Sequence, residues 1–130
     1  MMSRKQKPNP TQAELEILQI LWQQGPSTVR MVNEKLHERR PVVYTTTLKL
    51  MQIMAQKKLV TRSVQGRSHV YSAMPQQEQV QDRIVDKLIS TVFAGSSMDL
   101  VLQALGNHKP SQQEIEQIRH FLDEIEKGQK

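Results

Sequence analysis

Thr45-Thr46-Thr47-Leu48-Lys49-Leu50-Met51-Gln52-Ile53-Met54-Ala55-Gln56-Lys57-Lys58-Leu59-Val60-Thr61-Arg62-Ser63-Val64-Gln65-Gly66-Arg67-Ser68-His69-Val70-Tyr71-Ser72 changes its period halfway along. Up to about Lys57 the apolar residues recur at helical spacing. Thr47, Leu50, Met51 and Met54 gather on one side of that helix, and Thr45, Thr46, Lys49, Gln52 and Gln56 on the other, with Ile53 at the margin. Threonines lose rotamer freedom inside a helix but suit its start, where a hydroxyl can cap. From Leu59 to Val64 the pattern is that of a strand, Gln65-Gly66-Arg67 is turn material, and Ser68 to Ser72 is a returning strand.

Working outward, Thr11-Gln-Ala-Glu14 has the form of a capping box. It opens a helix through Leu15, Leu18, Leu21 and Trp22 that Gly25-Pro26 stops. Ser27 or Thr28 caps a second helix with Val29, Val32 and Leu36 inside, and Arg39-Arg40-Pro41 breaks it. Val42-Val43 reads as a short strand. Three helices and a hairpin in a basic segment are the order of a winged helix-turn-helix. This places a winged-helix domain at 11–75, after a flexible basic N-terminus at 1–10.

Pro75 and the polar run Gln76-Gln77-Glu78-Gln79 mark a junction, and 76–130 reads as helical. Val80, Ile84, Leu88 and Val92 recur every four residues up to Gly95. Ser96-Ser97 starts a short helix holding Leu100, Val101, Leu102 and Leu105, closed by Gly106 and apolar enough to be buried. Pro110-Ser111-Gln-Gln-Glu114 is a second capping box, followed by Ile115, Ile118, Leu122 and Ile125 at a/d-like spacing. One copy of this segment is too small to bury so many aliphatic side chains. The expected fold is therefore mainly α. A winged helix-turn-helix, three helices plus a β-hairpin wing, precedes a three-helix dimerisation domain. Its seam holds Ile84, Leu88, Val92, Leu102, Ile115, Ile118, Leu122 and Ile125.

The 130 residues carry 18 Lys and Arg against 13 Asp and Glu, and the excess is unevenly spread. Residues 1–75 hold 12 basic and 4 acidic side chains, and 76–130 hold 6 and 9, so the first half is the one suited to a polyanion. A chance imbalance of solvated surface charge is the plainer explanation, and charge by itself favours nucleic acid only slightly over it. There is no cysteine, which excludes disulfides, thiolate metal sites and cysteine nucleophiles. No apolar run approaches the ~18 residues of a membrane span. The basic start lacks the apolar core of a signal peptide, so the expected location is the cytoplasm, without membrane insertion.

Short hydroxyls, amides and a lysine suit the major groove, where they can bond base edges and phosphates. Thr45, Thr46, Lys49 and Gln52 are the candidates on the third helix, and Thr28 joins them from the head of the second. Arg62, Arg67 and His69 cluster about the glycine turn, where a wing tip can set cations against phosphates. A solvated helix face and edge-strand charge that discourages aggregation account for the same residues. His120 stands four residues from Glu116 and Glu124, but a solvated face explains the trio better than a metal. No nucleophile–base spacing or phosphate-cradling glycine loop appears, so no enzyme, cofactor or metal is expected. A protein-interaction module without sequence-specific DNA binding remains the alternative to a DNA-binding repressor. A steep loss of duplex binding with salt separates the two.

Glu14-Leu-Glu-Ile-Leu-Gln-Ile-Leu-Trp22, Gly25-Pro-Ser-Thr-Val-Arg30, Val43-Tyr-Thr-Thr-Thr-Leu48 and Gly66-Arg-Ser-His-Val-Tyr71 together resemble the penicillinase repressor family of the BlaI/MecI/CopY type. The likeness runs from about Pro10 to Met74. It continues more loosely through Phe93-Ala-Gly-Ser-Ser-Met-Asp-Leu-Val-Leu102 and Ser111-Gln-Gln-Glu-Ile-Glu116. The resemblance implies a dimeric bacterial repressor whose winged helix binds operator DNA. It also implies release in an antibiotic response, when a membrane-embedded sensor metalloprotease triggers cleavage, here at Gln103-Ala104. Staphylococcal members have an Asn-Phe pair at that point. The chain departs from the pattern twice more. Lys58 stands where a glycine usually ends the recognition helix, and Ile53 where an arginine is common. Without cysteine, the thiolate copper sensing of one branch is excluded.

Overall fold

The computed structural model describes residues 10–128, so the basic N-terminus expected at 1–10 lies outside it except for Pro10. The element order is α1 (Gln12–Gln24), α2 (Val29–His37), α3 (Tyr44–Gln56), β1 (Val60–Gln65), β2 (Ser68–Ala73), α4 (Gln77–Thr91), α5 (Ser97–Asn107) and α6 (Gln112–Gly128). By compactness the chain divides after Val85, within α4, into two units. The first is a winged helix-turn-helix.

Helix α1 begins at the capping box. The Glu14 amide donates to Thr11 Oγ1 at 3.2 Å, and the Thr11 amide donates back to Glu14 Oε1 at 2.9 Å. The helix buries Ile17, Leu18, Ile20 and Leu21, while Leu15 and Trp22 are only half-buried. Gly25 ends it at φ 82°, a left-handed value that a Cβ would strain. Thr28 caps α2 by accepting from the Met31 amide at 3.2 Å, and Val29, Val32 and Leu36 point inward as a stripe. With Met51, Met54, Leu59, Val60 and Tyr71 they form one core.

Val42-Val43 is not the strand that its β-branched pair suggests. Both polar groups of the Val42 backbone are taken by side chains of α2. Its carbonyl accepts from Asn33 Nδ2 at 2.9 Å, and its amide donates to His37 Nδ1 at 3.3 Å. The place of a third strand is filled by Ser27, whose amide and carbonyl pair with those of Tyr71 at 3.0 and 2.8 Å. The threonines do not cap α3 either. Its N-cap is Val43, with no side-chain cap, and the three hydroxyls lie one to several residues inside the helix.

Helix α3 ends in a Schellman motif. The Leu59 amide donates to Met54 O at 2.9 Å and the Lys58 amide to Ala55 O at 3.1 Å, with Lys58 at φ 66°. Met54 and Leu59, the two side chains this motif brings together, are both buried. The hairpin pairs Val60 with Ala73 through to Gln65 with Ser68. Gly66 turns it at φ 63° while Arg67 keeps a negative φ, as a type II′ turn requires.

In the C-terminal unit, Ser96 caps α5 by accepting from the Asp99 amide at 3.0 Å. Ser111 and Glu114 form the second capping box at 3.1 and 2.9 Å. Gly106 does not close α5. The helix runs through it to Asn107, and Pro110 lies just beyond the end. The burial expected of α5 is also absent, since no residue of α5 or α6 is buried. Leu102, Phe121 and Leu122 are 60%, 64% and 56% exposed, and Val92 just past α4 is 66% exposed, while Leu100, Leu105, Ile115 and Ile118 are half-buried, so the apolar faces of α5 and α6 are only partly covered in one chain.

Candidate nucleic-acid interface

Packing fixes the outer face of α3. Thr47, Met51 and Met54 are buried and Leu50 half-buried, so Thr45, Thr46, Lys49, Gln52 and Gln56 are left exposed on the opposite side. Ile53 is half-buried at the margin.

The hairpin supplies the second wall. Val60, Arg62 and Val64 share one face of β1 with Ala73, Tyr71 and His69 across the pair. At the root of the wing that face meets the core, where Val60 and Tyr71 are buried. Further out the same face carries Arg62 and His69 beyond the core's edge. Between this face and α3 lies an open groove of about 500 Å³. Thr28, Gln52, Arg62, Arg67 and His69 line it, together with Arg30 and Tyr44. Five of the eight residues singled out from sequence thus border one groove. Thr45, Thr46 and Lys49 are exposed on α3 but outside its lining.

Arg30 and Tyr44 were not among the sequence candidates. A signal existed for Arg30, which stands two residues after the Thr28 cap and so falls in the first turn of α2, beside Thr28. Tyr44 immediately precedes the threonines, at the first helical position of α3.

The electrostatics separate two groups of cations. Several of those in the winged-helix unit away from the groove are paired. Arg40 meets Glu16 at 2.8 Å with Arg39 at 4.0 Å, Lys57 meets Glu14 at 2.7 Å, and Lys35 meets Glu38 at 3.5 Å. The Arg40 contact holds the Glu16 carboxyl below its usual range and raises Arg40. Burial alone pushes the Glu14 carboxyl up, but the hydrogen bonds from Lys57 and the Thr11 amide outweigh it and leave it lowered. Among the described residues, Arg30, Lys49, Arg62 and Arg67 take part in no ion pair, and no acidic side chain lines the groove. A strip of uncompensated positive charge beside hydroxyl and amide groups attracts a polyanion and can bond its edges.

His120 Nε2 lies 3.7 Å from Glu124 Oε2 on exposed α6, and among the described residues no cluster suits a metal. No helix of the described residues is long and apolar enough to cross a membrane. Gln103 and Ala104 are exposed but lie within the regular backbone of α5.

A family model described as Penicillinase repressor matches residues 10–124. The chain is 31% identical over 117 residues to the transcriptional regulator BlaI of Mycobacterium tuberculosis, covering 88% of this chain and 83% of that one. It is 20% identical over 115 residues to the penicillinase repressor of Staphylococcus aureus, covering 88% and 91%. Among solved structures, a MarR family protein from Bacillus stearothermophilus superposes with a TM-score of 0.55 at 20% identity, over 92% of this chain and 75% of that one. At that identity the likeness is one of fold.

Proposed function

The chain belongs to the penicillinase repressor family, a family of transcriptional repressors and not of enzymes, and from that premise we propose that it acts as a homodimer on dyad-symmetric operator DNA. In this reading residues 11–75 bind DNA and 76–130 dimerise. Thr45, Thr46, Lys49 and Gln52 enter the major groove, and Thr28, Arg62, Arg67 and His69 hold the flanking backbone. The observation that carries the reading is the groove, where, among the described residues, Arg30, Arg62 and Arg67 are unpaired and no carboxylate lines the walls.

Dimerisation is supported by the partly uncovered apolar faces of α4, α5 and α6, on which Leu88, Leu102, Leu122 and Ile125 are exposed, as is Val92 just past α4. A seam on a two-fold axis sets two half-sites one or more helical turns apart, a turn being roughly 34–36 Å. Linked half-sites bind far more tightly than one, because the second contact is effectively intramolecular. Cleavage at Gln103-Ala104 releases DNA by destroying the seam, with no change in the reading face. Proteases need an extended backbone, so α5 must open locally first, and its exposure makes such opening inexpensive. The membrane-embedded sensor metalloprotease is the partner this step requires.

The test is binding to a duplex selected by the protein from a randomised pool. Log affinity should fall linearly with log salt, with a slope steeper than about −3 for several phosphate contacts. A flat salt response favours a protein-interaction module instead. In the parent cells, a full-length repressor band that persists on immunoblots while its targets switch on excludes proteolytic release.

A further inference from the structure

Helix α3 starts without a side-chain cap, and yet its first turn carries Thr45 and Thr46. What holds that turn in place comes from α2. Asn33 uses both hydrogens of its amide. One goes to Val42 O at 2.9 Å, just ahead of the helix, and the other to Thr47 Oγ1 at 2.8 Å, one turn inside it. His37, four residues on and so on the same face of α2, accepts the Val42 amide at 3.3 Å. The Val42 peptide groups and the first turn of α3 are therefore pinned to one face of α2.

We infer that Asn33 and Thr47 are positioning residues that set the rotational phase of α3, and through it the DNA sequence the helix selects. Thr47 is fully buried and cannot touch DNA. Its hydroxyl is in a helix interior, where threonine is a poor choice on propensity, and the structure gives it this bond as its use. The geometry explains why a tether here controls specificity. With 3.6 residues per turn, a shift of the helix start by one residue turns the exposed face by about 100°. That would carry Thr45, Thr46 and Lys49 away from the bases they meet. Hydrogen bonds to base edges tolerate no such rotation, whereas attraction to phosphates does.

The inference rests on the proposal that α3 reads DNA, and the experiment keeps the two apart. Wild-type protein first selects a duplex from a randomised pool; failure to enrich any sequence refutes the reading of α3 and not the tether. The affinities of Asn33→Leu and Thr47→Val are then measured for the selected duplex and for a scrambled one, with Trp22 fluorescence confirming folding. Thr47→Val keeps the β-branched shape and removes only the hydroxyl, so it decides the matter alone if Asn33→Leu does not fold. The ratio of selected to scrambled affinity should fall roughly tenfold, the worth of about one base contact. The salt slope on the scrambled duplex should stay that of the wild type, because phosphate contacts are kept. A folded Thr47→Val protein with wild-type discrimination overturns the inference. So does an equal loss on both duplexes, which a merely structural role would give.

Discussion

Lys58 is held at φ 66° at the end of α3, in the position where a glycine is the usual residue of a Schellman motif. The motif is complete, with both backbone bonds made and Met54 and Leu59 buried together, so the packing imposes the left-handed backbone on a residue with a Cβ. That conformation costs an L-residue about 1–2 kcal/mol. Glycine escapes the cost but loses roughly 0.5–1 kcal/mol more conformational entropy on folding. Lys58→Gly should therefore be more stable than Lys58→Ala by about 0.5–1 kcal/mol. Comparing the two cancels the loss of the lysine charge, which both share. Lys58→Val should fall below Ala, because a β-branched residue is more strained still. The assay is urea unfolding at fixed protein concentration, followed by the fluorescence of the single tryptophan, Trp22, in the N-terminal unit. In thermal melts the gain should appear as a rise of roughly 2–8 °C over the alanine variant. A glycine variant no more stable than the alanine one refutes the account of the turn.

Lys57→Met should destabilise the N-terminal unit by about 1–2 kcal/mol at pH 7, because it leaves the buried Glu14 carboxylate without its cation while Lys57 itself is partly solvated. Glu14 has a lowered folded pKa, so its contribution is present above the unfolded value of 4.5 and is lost as pH falls through the lower folded one. The gap between wild type and Lys57→Met should narrow over that acid range, and urea midpoints taken at stepped pH check it. Thr46→Ala should weaken a selected duplex more than a random one, by roughly 1–3 kcal/mol, and quantitative binding on both duplexes reads this directly. Arg67→Ala should weaken both alike and make the salt slope shallower by about one unit. Leu122→Asp places an unpaired charge on the apolar face of α6 and should give monomers by sedimentation at micromolar concentration; a dimer would place the seam elsewhere.

The winged helix was legible because its signals are local. Capping boxes, a four-residue apolar stripe and a glycine turn act within a few residues of themselves, and Thr11, Glu14, Thr28 and Gly66 do what their spacing implies. The errors arise where a distant side chain competes for the backbone. Val42 and Val43 have the composition of a strand, but the amide of Asn33 and the ring of His37 reach Val42 first, and no local pattern announces them. The threonines fail as caps for a local reason: a hydroxyl at a helix start is a good cap, but this helix begins before them, at Tyr44. Glu14 is legible only by half. Its bond to Thr11 is written in the four-residue motif, while its ion pair with Lys57 spans two helices.

The outward face of α3 followed from its wheel, since burial of Thr47, Met51 and Met54 leaves only one side outward. The groove did not follow from it. Arg30 and Tyr44 enter only when α2 and the wing are brought beside α3, an arrangement produced by the core and by the Ser27–Tyr71 bridge. The C-terminal helices are the opposite case, where the pattern says more than one folded chain can express. A stripe such as Leu122 and Ile125 predicts burial, yet within one chain both remain exposed. An amphipathic face is a statement about what it must meet, and a lone copy of this segment offers too little partner surface to satisfy it. The exposed positions of the apolar pattern fall in and just after α4, in α5 and in α6, while in the winged helix the inward positions its pattern names are buried or, at Leu15, Trp22 and Leu50, half-buried. A misread pattern would scatter such failures along the chain. Their concentration in consecutive helices is what the proposed dimer seam would leave in a single chain.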